Sequence, residues 1–418
     1  MGENKHGARA ARAVASPVAP LVWKFGGTSV ADHARLRAVA ERMVAAQRSG
    51  RGVVAILSAM GSSTDELAEM AYKMSARPPL RELDALLSVG ESISVALASM
   101  AVAELGSHAV SLSGPQAGIR TDGQHGNARL REIRPVRIHD ALARGAIVLV
   151  TGFQGMSEDG DVTTLGRGGS DASAVALAAA LGATECEIFT DVPAVFTADP
   201  RVVADARPLA SIRHEQMLEM AEAGAGVMQP RSIELAVAHG IDIHLRSSFS
   251  TEAGTWIRRE PAELEGAGSW DVAGVAHRYH ETLYAARDID IAAVAVALAE
   301  RGACLGTVLP DLAGLRFTAP GADPAEVIGA LDAVGASVQV DQQLGAVSVV
   351  SLGIARRPEV VVRTLAALRD AGIEPRLVTT TPGRVSVLVD SEVVDDAVRL
   401  LHATFIPAAV VARVRAAG

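Results

Sequence analysis

Lysine is almost missing from this chain. Of 39 basic residues only Lys5, Lys24 and Lys73 are lysine; all the others are arginine. Aromatic residues are also scarce, at 3% of 418. With few rings to stack on bases and a formal net charge of −9, the composition argues against nucleic acid as a partner. Cysteine occurs twice, as Cys186 and Cys304, with no metal-like spacing. Both lie in alanine-rich, apolar surroundings and read as small buried hydrophobes in a reducing compartment. No apolar run approaches the roughly 18 residues of a membrane helix, so no membrane association is expected. Residues 1–20, MGENKHGARAARAVASPVAP, are basic but lack an apolar h-region. They read as a flexible tail and not as a signal peptide, and the expected location is cytoplasmic.

What remains is an ordinary globular composition, 49% hydrophobic and 21% charged, long enough for two or three domains. Strand and helix patterns alternate through the first 260 residues. Strands are expected at 21–25, 52–60, 108–114, 146–155, 186–192 and 241–248. Helices are expected at 31–47, from the sixties to about Leu105, at 171–183 and at 215–224. The alternation predicts an α/β domain over 21–257, with a mainly parallel sheet covered by helices on both faces. RREPAELEGAGSW (258–270) reads as a linker. Over 271–418 the pattern becomes two rough copies of strand–helix–strand–strand–helix–strand, the last strand being AAVVARV. A pair of small α+β modules after a larger domain suits regulation or oligomerisation.

Three stretches carry chemistry. LVWKFGGTSV (21–30) puts two glycines directly after a buried strand, where free amides favour phosphate; a plain turn explains them as well. Its Lys24 is odd in an arginine-writing chain, and a compact ammonium beside glycines suits a point charge better than a guanidinium fork does. TTLGRGGSD (163–171) packs three glycines, three hydroxyls, Arg167 and Asp171 into nine residues. Arg167 could clamp a carboxylate bidentately and Asp171 could take an ammonium, the two groups of an amino acid. A helix N-cap would account for Asp171 but leaves Arg167 unexplained. TDVPAVFTADPR (190–201) could hold a nucleotide, with a ring against Phe196 and phosphates near Arg201, or be an ordinary loop.

Taken in order, KFGGTSV, SAMGSSTDEL, SVGESIS, GFQG with TTLGRGGSD, and TDVPAVFTADPR resemble the aspartate kinases of the amino-acid kinase family. The likeness covers about residues 21–257, and the module pair resembles the tandem ACT domains that follow the kinase in that family. It implies ATP-dependent phosphorylation of the β-carboxylate of L-aspartate or a close analogue, with ATP and Mg2+ as cofactors. Carried over by position, Lys24 would contact the transferring phosphoryl group, and Gly26, Gly27, Thr28 and Ser29 would cradle phosphates. Ser58 and Thr64 would lie near the substrate. Glu91 and Asp171 would receive its ammonium, and Arg167 with Ser170 its α-carboxylate. Thr190, Asp191, Phe196 and Arg201 would line the nucleotide site. A homodimer through the modules is implied as well.

The sequence also departs from the family. Gly226 stands in GAGVMQPR where a lysine near the nucleotide is common. The first module has RDIDIAAVAV in place of a glycine-containing effector turn, and its GTVLPD lacks the usual Gln-Asn pair. The second keeps Pro358 but follows it with Glu359. Weakened feedback by lysine and threonine is therefore expected. Two alternatives stay open: a paralogous kinase for another or a modified amino acid, and a catalytically silent amino-acid-binding regulator.

Overall fold

A computed structural model describes residues 19–260, 272–311 and 314–406. The expected tail and linker lie almost wholly outside them. The first part of the chain forms β1 (Leu21–Phe25), α1 (His33–Arg48), β2 (Val53–Leu57), α2 (Ser63–Met74), α3 (Leu80–Leu87), α4 (Val89–Glu104), β3 (Ala109–Leu112) and β4 (Ile119–Thr121). Next come β5 (Leu130–Ile133), α5 (Val136–Ala143), β6 (Ile147–Thr151), β7 (Gln154–Met156), β8 (Val162–Thr164), α6 (Gly169–Ala180) and β9 (Glu185–Thr190). The domain closes with β10 (Ser211–Arg213), α7 (His214–Glu222), α8 (Pro230–His239), β11 (Asp242–Ser247) and β12 (Thr255–Arg258).

Eight of these strands make one sheet, in the order β10-β12-β11-β9-β1-β2-β6-β3. Every pairing in it is parallel except β11 with β12. VVAIL in β2 and IVLVT in β6 are buried at every position, as a sheet covered on both faces requires. In β1 the two-residue period sends Val22 and Lys24 toward α6 and α8, and Trp23 and Phe25 toward α1 and α4. Helix α1 buries Leu36, Val39, Ala40, Met43 and Val44, a single face at helical spacing. It begins two residues later than the sequence suggests because Asp32 caps it, accepting from Arg35 N at 2.9 Å, a contact worth about 1 kcal/mol.

Several sequence expectations need correction. The single strand expected over 146–155 is two, β6 and β7, in different sheets. The chain turns at Gly152-Phe153, where Phe153 adopts φ 70°, and β7 joins a separate four-stranded sheet, β5-β4-β7-β8. Residues 80–104 form a nearly continuous helical stretch apolar enough, by length and composition, to cross a membrane. The sequence reading missed that run. Here α4 lies on α1, β3 and β6 and buries Glu91, Ser94, Val95, Ala98 and Val102 against the domain. Cys186 is buried as expected. Cys304 is exposed, because it falls in the irregular segment after the first module helix rather than in its core.

The modules contribute β13 (Val272–Arg287), α9 (Ile291–Ala299), β14 (Val308–Asp311), β15 (Gly314–Thr318), α10 (Pro324–Ala333) and β16 (Ser337–Ser351). Then come α11 (Pro358–Asp370), β17 (Leu377–Thr380), β18 (Arg384–Asp390) and α12 (Val394–Phe405). All six strands form one antiparallel sheet, β14-β15-β13-β16-β18-β17. The two copies are not laid end to end. β13 and β16 are long enough to serve both, with register shifts in β13 around Glu281 separating its halves. Residues 272–278 pair with the half of β16 that belongs to the second module, and 283–287 pair with the first, so the first module is nested within the second. The expected final strand, AAVVARV, lies outside the described residues.

Candidate active site

The chain leaves β1 for β2 and returns on the other side of β1 as β9, so the sheet has a topological switch point between β1 and β9. In open α/β sheets ligands bind there, beyond the carboxyl ends of the strands. At that edge Gly26 N donates to Phe189 O at 3.0 Å, Ser58 N to Phe25 O at 3.1 Å and Gly152 N to Leu57 O at 3.0 Å. Four loops are thereby laced together: 26–29, 58–61, 152–153 and the one after β9.

Lys24 reaches out of β1 to Asp171, with Nζ 2.6 Å from Oδ1 and each side chain only about a tenth exposed. Asp171 is not the N-cap; Gly168, at φ 73°, holds that position, and Asp171 sits in the first turn of α6. There the helix dipole favours its negative charge. Ser170 is buried beside it, and a Cβ on Gly152 would lie 2.5 Å from Ser170 Oγ, so the turn after β6 must be glycine. Gly26 and Gly27 flank the lysine. A Cβ on Gly27 would come within 3.0 Å of Ala59 O, which draws the 26–29 and 58–61 loops into close contact.

Glu91, in the first turn of α4, is 3% exposed. Its Oε1 accepts from Ala59 N at 3.3 Å, and its buried Oε2 has no hydrogen-bond partner among the described residues. Burial is the main cause that pushes its pKa up, to about 7. An unsatisfied, desolvated carboxyl oxygen beside Ala59 suits an incoming cation. Ser58, directly after β2, and Thr64, in the first turn of α2, are both half-buried.

The structure does not bring Arg167 into contact with the Lys24–Asp171 pair. It stands exposed between Gly166 and Gly168, both at positive φ, on the wall of a cavity of about 910 Å³ shared with Asn127, Arg129, Gln229 and Arg231. Arg231 is spent on carbonyls, donating to Leu165 O and Ala128 O. Asp84, which sequence reasoning missed, organises this wall. It is fully buried, accepting from Gly126 N, His125 Nδ1 and Thr164 Oγ1, and so ties α3 to the 122–128 loop and to the end of β8. Nothing in the sequence marks it out from other helical aspartates.

Thr190, Asp191, Phe196 and Arg201 converge on a second cavity of about 610 Å³, closed by Gly224–Val227 and by Val275–His277 of β13. Arg201 is not a free cation, since Asp199 grips it at 2.6 Å. At Gly226 a Cβ would meet nothing within 4 Å, so this wall is open where the sequence lacks a lysine. In the expected phosphate cradle, Thr28 is exposed and its carbonyl accepts from Arg35 Nη1. Ser29 is buried, donating to Phe189 O and accepting from Ser248 Oγ at 2.6 Å. Ser248, at the end of β11, is a further member of this edge that the sequence did not reveal.

A parallel sheet with a switch point, glycine-paced loops and a lysine–carboxylate pair at that edge define an α/β domain with its ligand site beyond the strand ends. The chain belongs to the amino acid kinase family, whose profile matches residues 19–247, and an ACT domain profile matches 347–405. Its relatives include the aspartokinase of Mycolicibacterium smegmatis, 44% identical over 93% of this chain and 96% of that protein. The aspartokinase of Geobacillus stearothermophilus is 41% identical over 92% and 97%. Among solved structures, E. coli aspartokinase III in complex with aspartate and ADP superposes with a TM-score of 0.78 over 92% of this chain and 99% of that one. At 22% identity that likeness speaks for the fold. Aspartate kinase from Synechocystis is 34% identical, with a TM-score of 0.54, over 93% of this chain and 69% of that one.

Proposed function

We propose that the chain transfers the γ-phosphoryl group of ATP to the β-carboxylate of L-aspartate, giving 4-phospho-L-aspartate and ADP. The carrying observation is that one edge of the sheet presents both the ammonium of Lys24, held by Asp171 at 2.6 Å, and the buried carboxyl of Glu91, whose second oxygen has no partner among the described residues. One faces an anion in transfer and the other an ammonium. The β-carboxylate of aspartate is ionised at neutral pH, with an ordinary pKa of about 3.9, so no general base is needed to make it a nucleophile. Catalysis is then positioning and charge stabilisation. Lys24 follows the moving phosphoryl group, its ammonium braced by Asp171 Oδ1 at 2.6 Å. The Gly26 amide is spent on Phe189 O, which leaves that of Gly27 to face the phosphates, and Arg167 with Ser170 receives the α-carboxylate. The 190–201 loop holds the nucleotide. Mg2+ arrives as part of the Mg–ATP substrate, its ligands coming largely from phosphate oxygens and water.

Trapping the acyl phosphate with hydroxylamine tests this reading directly. ATP-dependent hydroxamate should form with L-aspartate and stay at background with L-glutamate and N-acetylglutamate. Signal with another amino acid alone would move the substrate assignment, and none with any would make the protein a silent binder.

The modules are read as an assembly surface for two copies with little effector response. At the start of α9, where an effector's carboxylate would seek amides, Asp290 caps the helix and accepts from Ala293 N at 2.8 Å. That amide is already satisfied, and a negative charge stands beside it. Feedback requires differential affinity between states, and a carboxylate ligand gains none at this turn. Lysine and threonine, added singly or together at millimolar concentration, should leave both activity and the mass of the proposed dimer unchanged. Concerted inhibition would reverse the reading.

A further inference from the structure

The cavity read above as the nucleotide site has three walls, and the module region touches all of them. One wall is the module strand β13 itself, through Val275, Ala276 and His277. The 190–201 loop is a second. Its Thr197 is buried, and Thr197 Oγ1 lies 2.9 Å from Nε2 of His402, a 4%-exposed side chain on α12. The same Thr197 accepts from Arg207 N through its hydroxyl and from Val275 N through its carbonyl. The third wall is the Gly224–Val227 turn that ends α7. Helix α7 is bound to the module sheet by Arg384 of β18, which donates to Glu219 Oε2 at 2.6 Å and to Glu222 Oε2 at 2.8 Å. Thr381 Oγ1 donates to Glu219 Oε1, and Arg278 of β13 donates to the carbonyl of Glu222. The packing leaves no slack: a Cβ on Gly224 would strike His277 O at 2.3 Å, and one on Gly383 would strike Glu219 Oε1 at 2.4 Å.

We propose that His402 and Arg384 are positioning residues for ATP, His402 holding the 190–201 loop and Arg384 holding α7, so that the module region completes the nucleotide site. The inference rests on the nucleotide reading of this cavity. It gives the modules a part in the reaction that needs no effector. Burial, together with the positive charge of Arg207, lowers the His402 pKa and keeps the ring neutral at neutral pH, consistent with a hydrogen bond to a hydroxyl. Neither residue approaches Lys24, Glu91 or Arg167 in any contact among the described residues. Their loss therefore acts on nucleotide binding and leaves the aspartate side alone.

Steady-state kinetics on the full chain, with ATP and aspartate varied independently, separates the possibilities. His402→Ala and Arg384→Met should each raise KM for ATP about tenfold, with KM for aspartate and kcat within about twofold of wild type. His402→Gln, which keeps a hydrogen-bonding amide near Thr197, should recover most of the loss. Should His402→Ala fail to fold, Thr197→Val breaks the same contact from the catalytic side and should give the same KM shift. Phe196→Ala serves as the control on the cavity. If it raises KM for ATP while the His402, Thr197 and Arg384 variants do not, the inference is overturned and the nucleotide reading stands. If Phe196→Ala leaves ATP untouched, the nucleotide reading falls and this inference with it. Parallel losses in both KM values, in kcat and in melting temperature would mark the contacts as merely structural and also overturn it.

Discussion

Lys24→Ala should lower kcat by about three orders of magnitude, and Lys24→Arg, which conserves charge, by at least tenfold, or about 1.4 kcal/mol of transition-state stabilisation. The two numbers separate having a cation from having it at the right point. Lys24 Nζ lies 2.6 Å from Asp171 Oδ1, in a side-chain environment only 11% exposed. Gly26 sits close by, its Cβ position 3.5 Å from the ammonium. A planar guanidinium needs more room than this and directs its donors in a fixed fork, whereas an ammonium on a flexible stem can track a phosphoryl group as it moves. Removing the cation also strands Asp171 as a buried anion, with a cost to stability of about 3 kcal/mol. Thermal unfolding must therefore accompany the kinetics, and Lys24→Met with Asp171→Asn removes both charges and restores the fold without restoring turnover. Turnover of Lys24→Arg within threefold of wild type would end the point-charge argument.

The parts of this molecule that were legible in its sequence are those where one residue type has one physical reason to be present. VVAIL and IVLVT read as covered parallel strands because nothing polar interrupts them. Lys24 stood out because arginine does the ordinary work of positive charge elsewhere. The misses have a common cause in contacts between distant segments. Asp84 and Thr164 are 80 residues apart, and neither looks unusual alone. His402 meets Thr197 across 205 residues. The break between β6 and β7 depends on Phe153 accepting a left-handed backbone, a conformation its own sequence does not announce. The nesting of the modules was hidden for a different reason. β13 and β16 each serve two modules, and a pattern of strands and helices does not say which strand pairs with which. Arg201 was expected as a free charge for a nucleotide site, but the structure shows it held by Asp199, two residues away.

Glu91→Gln should lower kcat/KM for aspartate about a hundredfold, leave KM for ATP unchanged and abolish one limb of the pH profile. The wild-type carboxyl has its pKa raised from an ordinary 4.5 to about 7, chiefly because burial penalises its charge. Below pH 7 it is protonated and cannot pair with the ammonium of aspartate. Wild-type kcat/KM should then fall about tenfold per pH unit as pH drops below 7 and level off above it, while the glutamine variant stays flat and low. The same shift has the opposite sign for stability. Between pH 4.5 and 7 the folded state holds a proton that the unfolded state releases, so stability declines as pH rises through that window and is constant above it. The span of the shift corresponds to about 3 kcal/mol, which the neutral glutamine escapes. At pH 8 Glu91→Gln should accordingly be the more stable protein and the poorer enzyme, and saturating aspartate should raise the melting temperature of wild type but not of the variant. Equal pH profiles for the two proteins would remove Glu91 from the ammonium site, whatever the melting curves showed.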